Sequence, residues 1–257
     1  MNIYQHFRPE EREFIDQVIN WKEYVEQSYA PKLTDFLDPR EQQILTTIIG
    51  KHPEVKWELF GGAPGAERKR AFLFPEYMEI QSEDFQVKLF RIEYAKKFIN
   101  IEHRQVLGSL MSLGLKRGKF GDILIEGETV QFFAAEEIAD YIRLQLESVG
   151  RASINLTELP LEQAVAIDEE WNEMNVTVSS LRLDTVMSSL FNLSRQKSQL
   201  LIQHGHVKVN FTAIENTAFE CGEGDILSAR GYGRAKIITI EGKTKKDKYR
   251  VIAGRKK

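Results

Sequence analysis

LRLDTVMSSLFNLSRQKSQLLIQHGHVKVN, residues 181–210, contains two helical patterns, a glycine stop and a strand in close succession. Apolar residues recur at helical spacing from Leu183 to Leu190, which predicts one core-facing side on the first helix. Ser194 is a typical N-cap for the second helix, and Gly205 stands where a left-handed C-terminal cap is common. The alternation in HVKVN then predicts a strand, so the stretch indicates a small α/β module.

Two cations, Arg195 and Lys197, begin the second predicted helix. The N-terminus of a helix already carries about half a positive charge, so each cation costs about 0.3–1 kcal/mol there. Backbone N–H groups, Ser194 and the two cations could together hold one phosphate-sized anion. We therefore predict that RNA phosphates complete this site.

Charge is unevenly distributed along the 257 residues, whose formal net charge is −3. Residues 181–257 contain 15 Lys and Arg against 7 Asp and Glu, whereas residues 1–180 contain 20 against 31. An acidic body with a basic C-terminal module indicates a polyanionic partner for that module. The alternative is a solvated lysine-rich tail, with which KTKKDKYR at 243–250 is consistent.

Composition excludes several classes of protein. Hydrophobic residues make up 42% and charged residues 28%, which is typical of globular proteins rather than disordered or membrane-embedded ones. No apolar run approaches the roughly 18 residues of a membrane helix, and the N-terminal stretch lacks the apolar core of a signal peptide. We therefore expect a cytoplasmic location and no membrane partner. Cys221 is the only cysteine, so neither an intramolecular disulfide nor a Cys-based zinc site is expected.

The segment before residue 80 predicts helices and a hairpin. One helix is expected after Pro9 and a second over 39–49. VKWELFGGAPGAERKRAFLF, residues 55–74, predicts a β-hairpin around a Gly-rich loop. The basic cluster at 68–70 in this hairpin is a candidate secondary RNA contact.

Residues 82–160 show strand and helix patterns in the order β-α-β-β-α-β, the ferredoxin-like arrangement of many RNA-recognition modules. The second helix of this order is predicted over 134–149. An RNA-recognition motif carries base-stacking aromatic residues on its third strand, and TVQFFAA does not match that pattern. We therefore expect Phe132 and Phe133 to be core residues. The predicted α+β fold thus comprises a helical and β-hairpin domain at 1–80, a ferredoxin-like (RRM-like) domain at 82–160 and a small α/β domain at 181–257.

The residue order over 181–240 resembles the S4 RNA-binding domain, an α/β module of a ribosomal protein and of several RNA-modifying proteins. L-R-L-D, then S-R followed by L-I-x-x-G-x-V-x-V-N, then G-D-I-L carry this resemblance. One departure is Phe211, because the family usually has Gly after the Asn, and we expect a wider or differently shaped turn there. Another is 197–199, where the family commonly has a small residue.

The preceding segments resemble the YlmH family of three-part bacterial S4 proteins. GGAPGAERKRAFLFPEY, LGSLMSLGLKRGKFGDIL and EIADYIRLQLESVGRASI carry this resemblance, which spans nearly the whole chain. It implies association with the large ribosomal subunit, rRNA and tRNA as partners, and a role in rescue or quality control of stalled translation. No catalytic residue, cofactor, metal or small-molecule substrate is expected.

The candidate RNA contacts are cations of the module and polar residues that match the S4 pattern. They are Arg182, Ser194, Arg195, Lys197, Lys208, Asn210, Arg230, Arg234 and Lys236. Asn210 could equally bond its own turn. Asp184 matches the pattern but is expected to start a helix or pair with an Arg, and Gly205 is expected to serve the backbone.

Other signals are weaker, and two alternatives stay open. GGAPGAERKR lacks the Lys-Ser/Thr of a phosphate loop, and His204 and His206 lack a nearby acidic or Cys partner for a metal. The basic loop at 115–119 fits a solvated surface and an RNA contact equally well. The alternatives are an RNA-modifying enzyme with an unrecognised site in the central domain, and a protein-interaction adaptor linked to cell division.

Overall fold

The structure, a computed structural model, describes residues 4, 7–166 and 171–256. The chain divides into two compact units, Met1–Asp168 and Glu169–Lys257. Both units combine helices with antiparallel sheets, so the predicted mixture of α and β structure is confirmed. Over the described ranges, no helix is long and apolar enough to cross a membrane.

The N-terminal part of the first unit packs two helices against a three-stranded sheet. The helices are α1 (Arg12–Ser28) and α2 (Pro39–Ile49), and the strands are β1 (Lys32–Leu37), β2 (Val55–Phe60) and β3 (Lys69–Pro75), in the spatial order β1-β3-β2. Asp38 caps α2 because its carboxylate accepts the backbone N–H groups of Arg40 and Glu41. The predicted second helix and the predicted hairpin are confirmed.

Strand β1 lies outside the sequence-based predictions because Thr34 and Asp35 interrupt its apolar pattern. Thr34 is nevertheless buried, and its hydroxyl accepts the backbone N–H of Ala71 on β3 at 2.9 Å. The register of β1 against β3 shifts between Leu33 and Phe36. Phe36 is part of the hydrophobic core, and Leu33 packs against that core. Pairing across the sheet therefore compensates for a weak local pattern.

The central part of the first unit contains a four-stranded antiparallel sheet. Its elements are β4 (Val87–Glu93), α3 (His103–Ser112), β5 (Phe120–Glu126), β6 (Thr129–Ala135), α4 (Ala139–Gln145), the short β7 (Ser148–Val149) and β8 (Ala152–Ser153), and β9 (Asn155–Leu159). The spatial order of the sheet is β5-β6-β4-β9, and β7 pairs with β8.

Helix α4 is shorter than the helix predicted over 134–149. Residues 134 and 135 end β6, and β7 begins three residues after α4. Leu146 and Val149 continue the apolar periodicity and are both buried. Leu146 is the C-cap residue of α4, whereas Val149 belongs to the short hairpin that turns at Gly150, whose φ is +60°. Three different elements thus contribute one periodic apolar pattern, and the sequence pattern alone cannot separate them.

The aromatic residues of β6 lie in the core. Phe132 and Phe133 have no exposed surface, and Phe132 stacks on Phe90 with the ring centroids 5.4 Å apart. The chain after β9 crosses the sheet at Gln131, whose side chain bonds the backbone of residues 163 and 165. The prediction that both rings are core residues is confirmed, so neither ring is available as a base-stacking platform.

The second unit places two helices on one face of a six-stranded antiparallel sheet. Its elements are β10 (Asn172–Val178), α5 (Leu183–Leu190), α6 (Arg195–Gln203), β11 (Val207–Val209), β12 (Thr212–Ala213), β13 (Ile226–Ala229), β14 (Gly233–Lys243) and β15 (Tyr249–Lys256). The spatial order is β10-β15-β14-β13-β11-β12, and apolar side chains of both helices fill the core. Strand β10, which precedes the predicted module, pairs with β15 over its whole length.

The lysine-rich segment 243–250 forms the turn of the β14–β15 hairpin. The backbone N–H of Thr244 donates to the carbonyl of Lys248 at 2.7 Å, and Asp247 adopts a φ of +54°. Lys245 and Lys246 are exposed at the tip. The segment is therefore an ordered turn rather than the solvated tail that composition alone allows.

Candidate nucleic-acid interface

Asp184, in the first turn of α5, is the centre of the candidate site. Its side chain has no exposed surface. Four side chains donate to its carboxylate, namely Arg182 Nε at 3.2 Å, Thr185 Oγ1 at 3.2 Å, Arg195 Nε at 3.1 Å and Gln199 Nε2 at 2.8 Å. Burial alone would raise the pKa of Asp184, but these hydrogen bonds, first the one from Arg182, hold that pKa well below its usual range. Asp184 therefore stays ionised and fixes two guanidinium groups.

The positions of these residues on α5 and α6 explain the convergence. Arg182 is the N-cap residue of α5, and Arg195 and Gln199 are four residues apart on one side of α6. The positive charge at the start of α6 is thus offset by a carboxylate from α5. Arg182 and Arg195 remain 40% and 55% exposed, so part of each five-donor guanidinium still faces solvent.

Further cations lie beside this cluster. Ser194 caps α6, since its hydroxyl oxygen accepts the backbone N–H of Lys197 at 3.2 Å. The Lys197 ammonium lies 5.3 Å from the ring centroid of Tyr232, which belongs to the turn between β13 and β14. Arg230, in the same turn, is exposed. We call Arg182, Arg195, Lys197 and Arg230 the α6 basic surface.

Lys208, Arg234 and Lys236 lie on the outer face of the sheet. Lys208 is in register with Ser228 on β13, and Ser228 is in register with Arg234 on β14. The residues that alternate with them, including Ala235, face the core beneath α5 and α6. The structure therefore does not bring all predicted residues into one site, because this group and the helices occupy opposite faces of the sheet.

Asn210 holds its own turn. Its Nδ2 donates to Asp225 at 2.8 Å, and its Oδ1 accepts the backbone N–H of Ile226 at 2.9 Å. Asn210 is also buried, so the structure favours the turn over RNA as the partner of this side chain.

Asn210 and Phe211 form a two-residue loop between β11 and β12, because Val209 pairs directly with Thr212. Their φ values are +48° and +68°, which correspond to a type I′ turn. Of the two expected alternatives, a wider or a differently shaped turn, the wider turn is wrong, because the loop has only two residues and Phe211 adopts the left-handed backbone that favours Gly. At Gly205, where φ is +67°, the expected backbone requirement is confirmed.

The arginines of the 68–70 cluster stabilise the first unit. Arg68 and Arg70 are 7% and 3% exposed. Arg68 donates to the carbonyl of Phe36 at 2.8 Å, while Arg70 donates to the carbonyl of Thr34 at 2.7 Å and pairs with Glu137. The expectation that these two arginines contact RNA is wrong, because both are buried beneath the protein surface.

The basic loop at 115–119 also bonds within the protein. Arg117 donates to the carbonyls of Phe120 and Gly121, and burial lowers its pKa to about 10. Lys119 bonds Asp35 at 2.6 Å and Glu137 at 2.9 Å. Neither side chain is a solvated cation, so the structure favours a stabilising role for both.

Two residues of the site, Gln199 and Tyr232, were not among the RNA contacts predicted from the sequence. Gln199 follows Arg195 by four residues, and this helical spacing could have indicated a shared partner. Tyr232 gives no such signal, because its contact with Lys197 depends on how the β13–β14 turn lies against α6.

Comparisons with known proteins cover the chain in three consecutive parts. Family models match residues 10–78 (“YlmH, N-terminal”), 81–163 (“Putative RNA-binding domain in YlmH”) and 181–227 (“S4 domain”). The “Ribosome-associated protein quality control protein P2” of Bacillus subtilis (strain 168) is 48% identical over 258 residues, covering 100% of this chain and 99% of that protein. The “Small ribosomal subunit protein uS4c” of Guillardia theta is 31% identical over 106 residues, covering 38% of this chain and 51% of that protein.

A solved structure adds a relative with the same kind of fold. “Cell division protein ylmH from Streptococcus pneumoniae” has a TM-score of 0.56 and 32% sequence identity, covering 64% of this chain and 100% of that chain.

Proposed function

This chain belongs to the YlmH family, and on that premise we propose that it is a ribosome-associated RNA-binding protein that acts in quality control of stalled translation. The relative that matches over the full length is called a ribosome-associated protein quality control protein. The S4 match begins at residue 181 and includes Asp184 with both arginines bound to it. That buried carboxylate, which holds one exposed guanidinium group from the start of α5 and one from the start of α6, is the observation that carries the proposal.

The α6 basic surface suits phosphate recognition. Guanidinium groups bond phosphate oxygens in a planar, bidentate geometry, and Asp184 limits their motion before RNA arrives. Less conformational entropy is then lost on binding. Contacts of this kind set position and orientation on structured RNA, which proteins recognise largely by shape and backbone. Ser194 supports the surface by ordering the first turn of α6.

We further propose that the partners are rRNA and tRNA on the large ribosomal subunit, in the cytoplasm, and that the role is non-enzymatic. Asp184 supports a non-enzymatic role, since a fully engaged carboxylate with a lowered pKa positions charge rather than transferring protons. Lys208, Arg234 and Lys236 form a separate proposed contact on the outer face of the sheet. Asn210 is proposed to act indirectly, by holding its turn.

We interpret the central sheet as ferredoxin-like. Its chain order, β4-α3-β5-β6-α4-β9, and its antiparallel spatial order support this interpretation. The three-domain division at 1–80, 82–160 and 181–257 likewise stays a proposal, and β10 joins the sheet of the third domain.

Sedimentation with purified large and small ribosomal subunits at two salt concentrations tests the function. Wild-type protein should migrate with the large subunit, more completely at low salt. Lys197→Glu with Arg230→Glu, both exposed, should lose most of this binding. Lys245→Glu with Lys246→Glu makes the same change of net charge at the exposed hairpin tip and should retain it. Equal loss in both double variants would reject the α6 basic surface, and no co-migration of wild-type protein would reject the ribosomal proposal.

A second proposal is suggested by the Streptococcus pneumoniae relative, which is called a cell division protein. A protein-interaction adaptor would keep its complexes after ribonuclease treatment, whereas complexes held through RNA would dissociate. Affinity purification before and after such treatment distinguishes the two.

A further inference from the structure

Phe211 occupies a backbone position that costs the fold free energy. It is the second residue of the two-residue loop between β11 and β12, with a φ of +68°. In this conformation the Cβ atom of an L-residue crowds the following carbonyl oxygen, and Gly, which has no Cβ, avoids the contact. Type I′ turns accordingly favour Asn-Gly, and here the second residue is a large aromatic.

Packing does not explain the presence of Phe211. The preceding residue, Asn210, offsets its own positive φ with two side-chain hydrogen bonds, to Asp225 and Ile226. Phe211, by contrast, is partly exposed and is not among the side chains that fill or border the core of the second unit, as far as the structure describes that core. The fold therefore gains little from the ring that strains it.

Strained residues that the fold does not need are concentrated at sites of function. Lys208, three residues before Phe211 in the same hairpin, is exposed, as are Thr212 and Ala213 on the edge strand β12. The side chains on that strand are small, so the partly exposed Phe211 and the exposed Lys208 are the aromatic ring and the cation that this hairpin offers. An aromatic ring with a nearby cation is the combination that binds single-stranded nucleotides, because the ring stacks on a base and the cation attracts the phosphate.

We propose that Phe211 stacks on an unpaired base of the RNA that this protein binds. The inference rests on the proposed RNA-binding function and adds to it a contact with a base, whereas the α6 basic surface contacts phosphate. It also accounts for Phe at a position where Gly would be free of strain.

Binding to two probes tests the inference. Wild-type protein and Phe211 variants are titrated against purified large ribosomal subunits and against protein-free large-subunit rRNA at several salt concentrations. Phe211→Gly should bind both probes about fivefold more weakly or worse, with an unchanged salt dependence, because no charge is removed. Phe211→Tyr should retain affinity, and Phe211→Leu, which keeps apolar bulk without a ring, should lose it. Tyr29→Gly is the matched control and should bind like wild type, because Tyr29 is an aromatic residue that is 66% exposed, has a φ of +52° and lies outside both RNA-binding matches.

The outcomes separate this inference from the function on which it rests. Wild-type affinity of Phe211→Gly for rRNA would overturn the stacking contact and leave the proposed function standing. If Phe211→Gly bound large subunits more weakly but bound protein-free rRNA like wild type, Phe211 would contact a ribosomal protein. That result would also overturn the stacking contact. Failure of wild-type protein to bind either probe would overturn the proposed function and this inference together. Misfolding is controlled by urea denaturation, in which Phe211→Gly should be at least as stable as wild type.

Discussion

Arg195 Nε lies 3.1 Å from Oδ2 of Asp184, so the first cation of α6 is paired with a buried carboxylate of α5. This pair offsets the unfavourable field at the helix N-terminus without an external anion. Arg195 therefore links the two helices through one N–H group and presents others to solvent. Lys197, two residues later, contacts Tyr232 instead, so the two neighbouring cations should respond differently to substitution.

Arg195→Glu should destabilise the second unit, whereas Lys197→Glu should not. The new carboxylate would face Asp184, and we expect the free energy of unfolding to fall by about 2 kcal/mol. At the exposed position 197 the expected change is within about 0.5 kcal/mol, because an acidic residue suits a helix N-terminus. Urea denaturation followed by circular dichroism measures both. Equal loss of stability in the two variants would contradict the ion pair.

Asp184→Asn should lower the free energy of unfolding by about 2 kcal/mol, because it removes the charge of a carboxylate that accepts hydrogen bonds from four side chains. Asp247→Asn is a suitable control. Asp247 pairs with Lys243 at the exposed hairpin tip, and Asn tolerates its φ of +54°. The control should change stability by less than about 0.5 kcal/mol. Matching losses in both variants, measured by urea denaturation, would exclude a special role for Asp184.

Lowering the pH should reduce the stability of the second unit, because Asp184 becomes protonated. The folded-state pKa of this carboxyl lies below its unfolded value of about 3.9. Its contribution to stability is therefore complete above that value and is lost as the pH falls toward the folded-state pKa. The difference in unfolding free energy between wild type and Asp184→Asn should shrink as the pH is lowered from 5 to 3. A constant difference over this range would show that Asp184 does not titrate as expected.

Glu41 should produce the opposite pH dependence in the first unit. Burial, and then the charge of Asp38, raises the pKa of Glu41 to about 7. The pKa of Glu41 in the unfolded chain is about 4.3. The contribution of Glu41 to stability is therefore complete below that pH and is lost as the pH rises through 7. Glu41→Gln keeps an acceptor for the backbone N–H of Asp38 and should remove a decline of about 1–3 kcal/mol between pH 5 and 8. If the unfolding free energies of wild type and Glu41→Gln changed with pH in parallel, the raised pKa of Glu41 would be refuted.

Phe211→Gly should raise the free energy of unfolding by about 1 kcal/mol. The substitution relieves left-handed strain of about 1–2 kcal/mol, and the greater flexibility of Gly in the unfolded chain reduces the gain. Phe211→Leu keeps the strained Cβ and should show no gain. Thermal or urea denaturation of the two variants beside wild type provides the measurement. Destabilisation by Gly would show that the ring packs more favourably than its exposure indicates.

Local patterns predicted much of the fold. The helix at 39–49, the hairpin after it and the two helices of the S4 module follow from apolar spacing, caps and turn residues. The helix predicted over 134–149 shows the limit of this approach. Leu146 and Val149 are buried as the periodicity requires, but Leu146 ends the helix and Val149 lies in a short hairpin. Tertiary packing rather than continued helical geometry therefore buries them.

The site was less predictable, since the partners of its charged groups come from distant parts of the chain. The sequence indicates a basic surface at Arg68 and Arg70. In the fold both side chains are buried and donate hydrogen bonds to carbonyls of β1, a strand that was not predicted. Arg195 reads as a free phosphate ligand, yet a carboxylate 11 residues earlier holds it. A list of cations can be read from the sequence, but their pairing depends on elements that meet only in the fold.

The pairing of β10 with β15 also constrains how the protein is made. Strand β10 is the first element of the second unit to be synthesised, but the strand it pairs with follows only after both helices and the intervening strands. Until then β10 is an unpaired edge, the type of segment that associates wrongly with other chains. A pause in translation between the two strands would prolong that exposure, so the synthesis of this protein is itself sensitive to the stalling that its family is proposed to resolve.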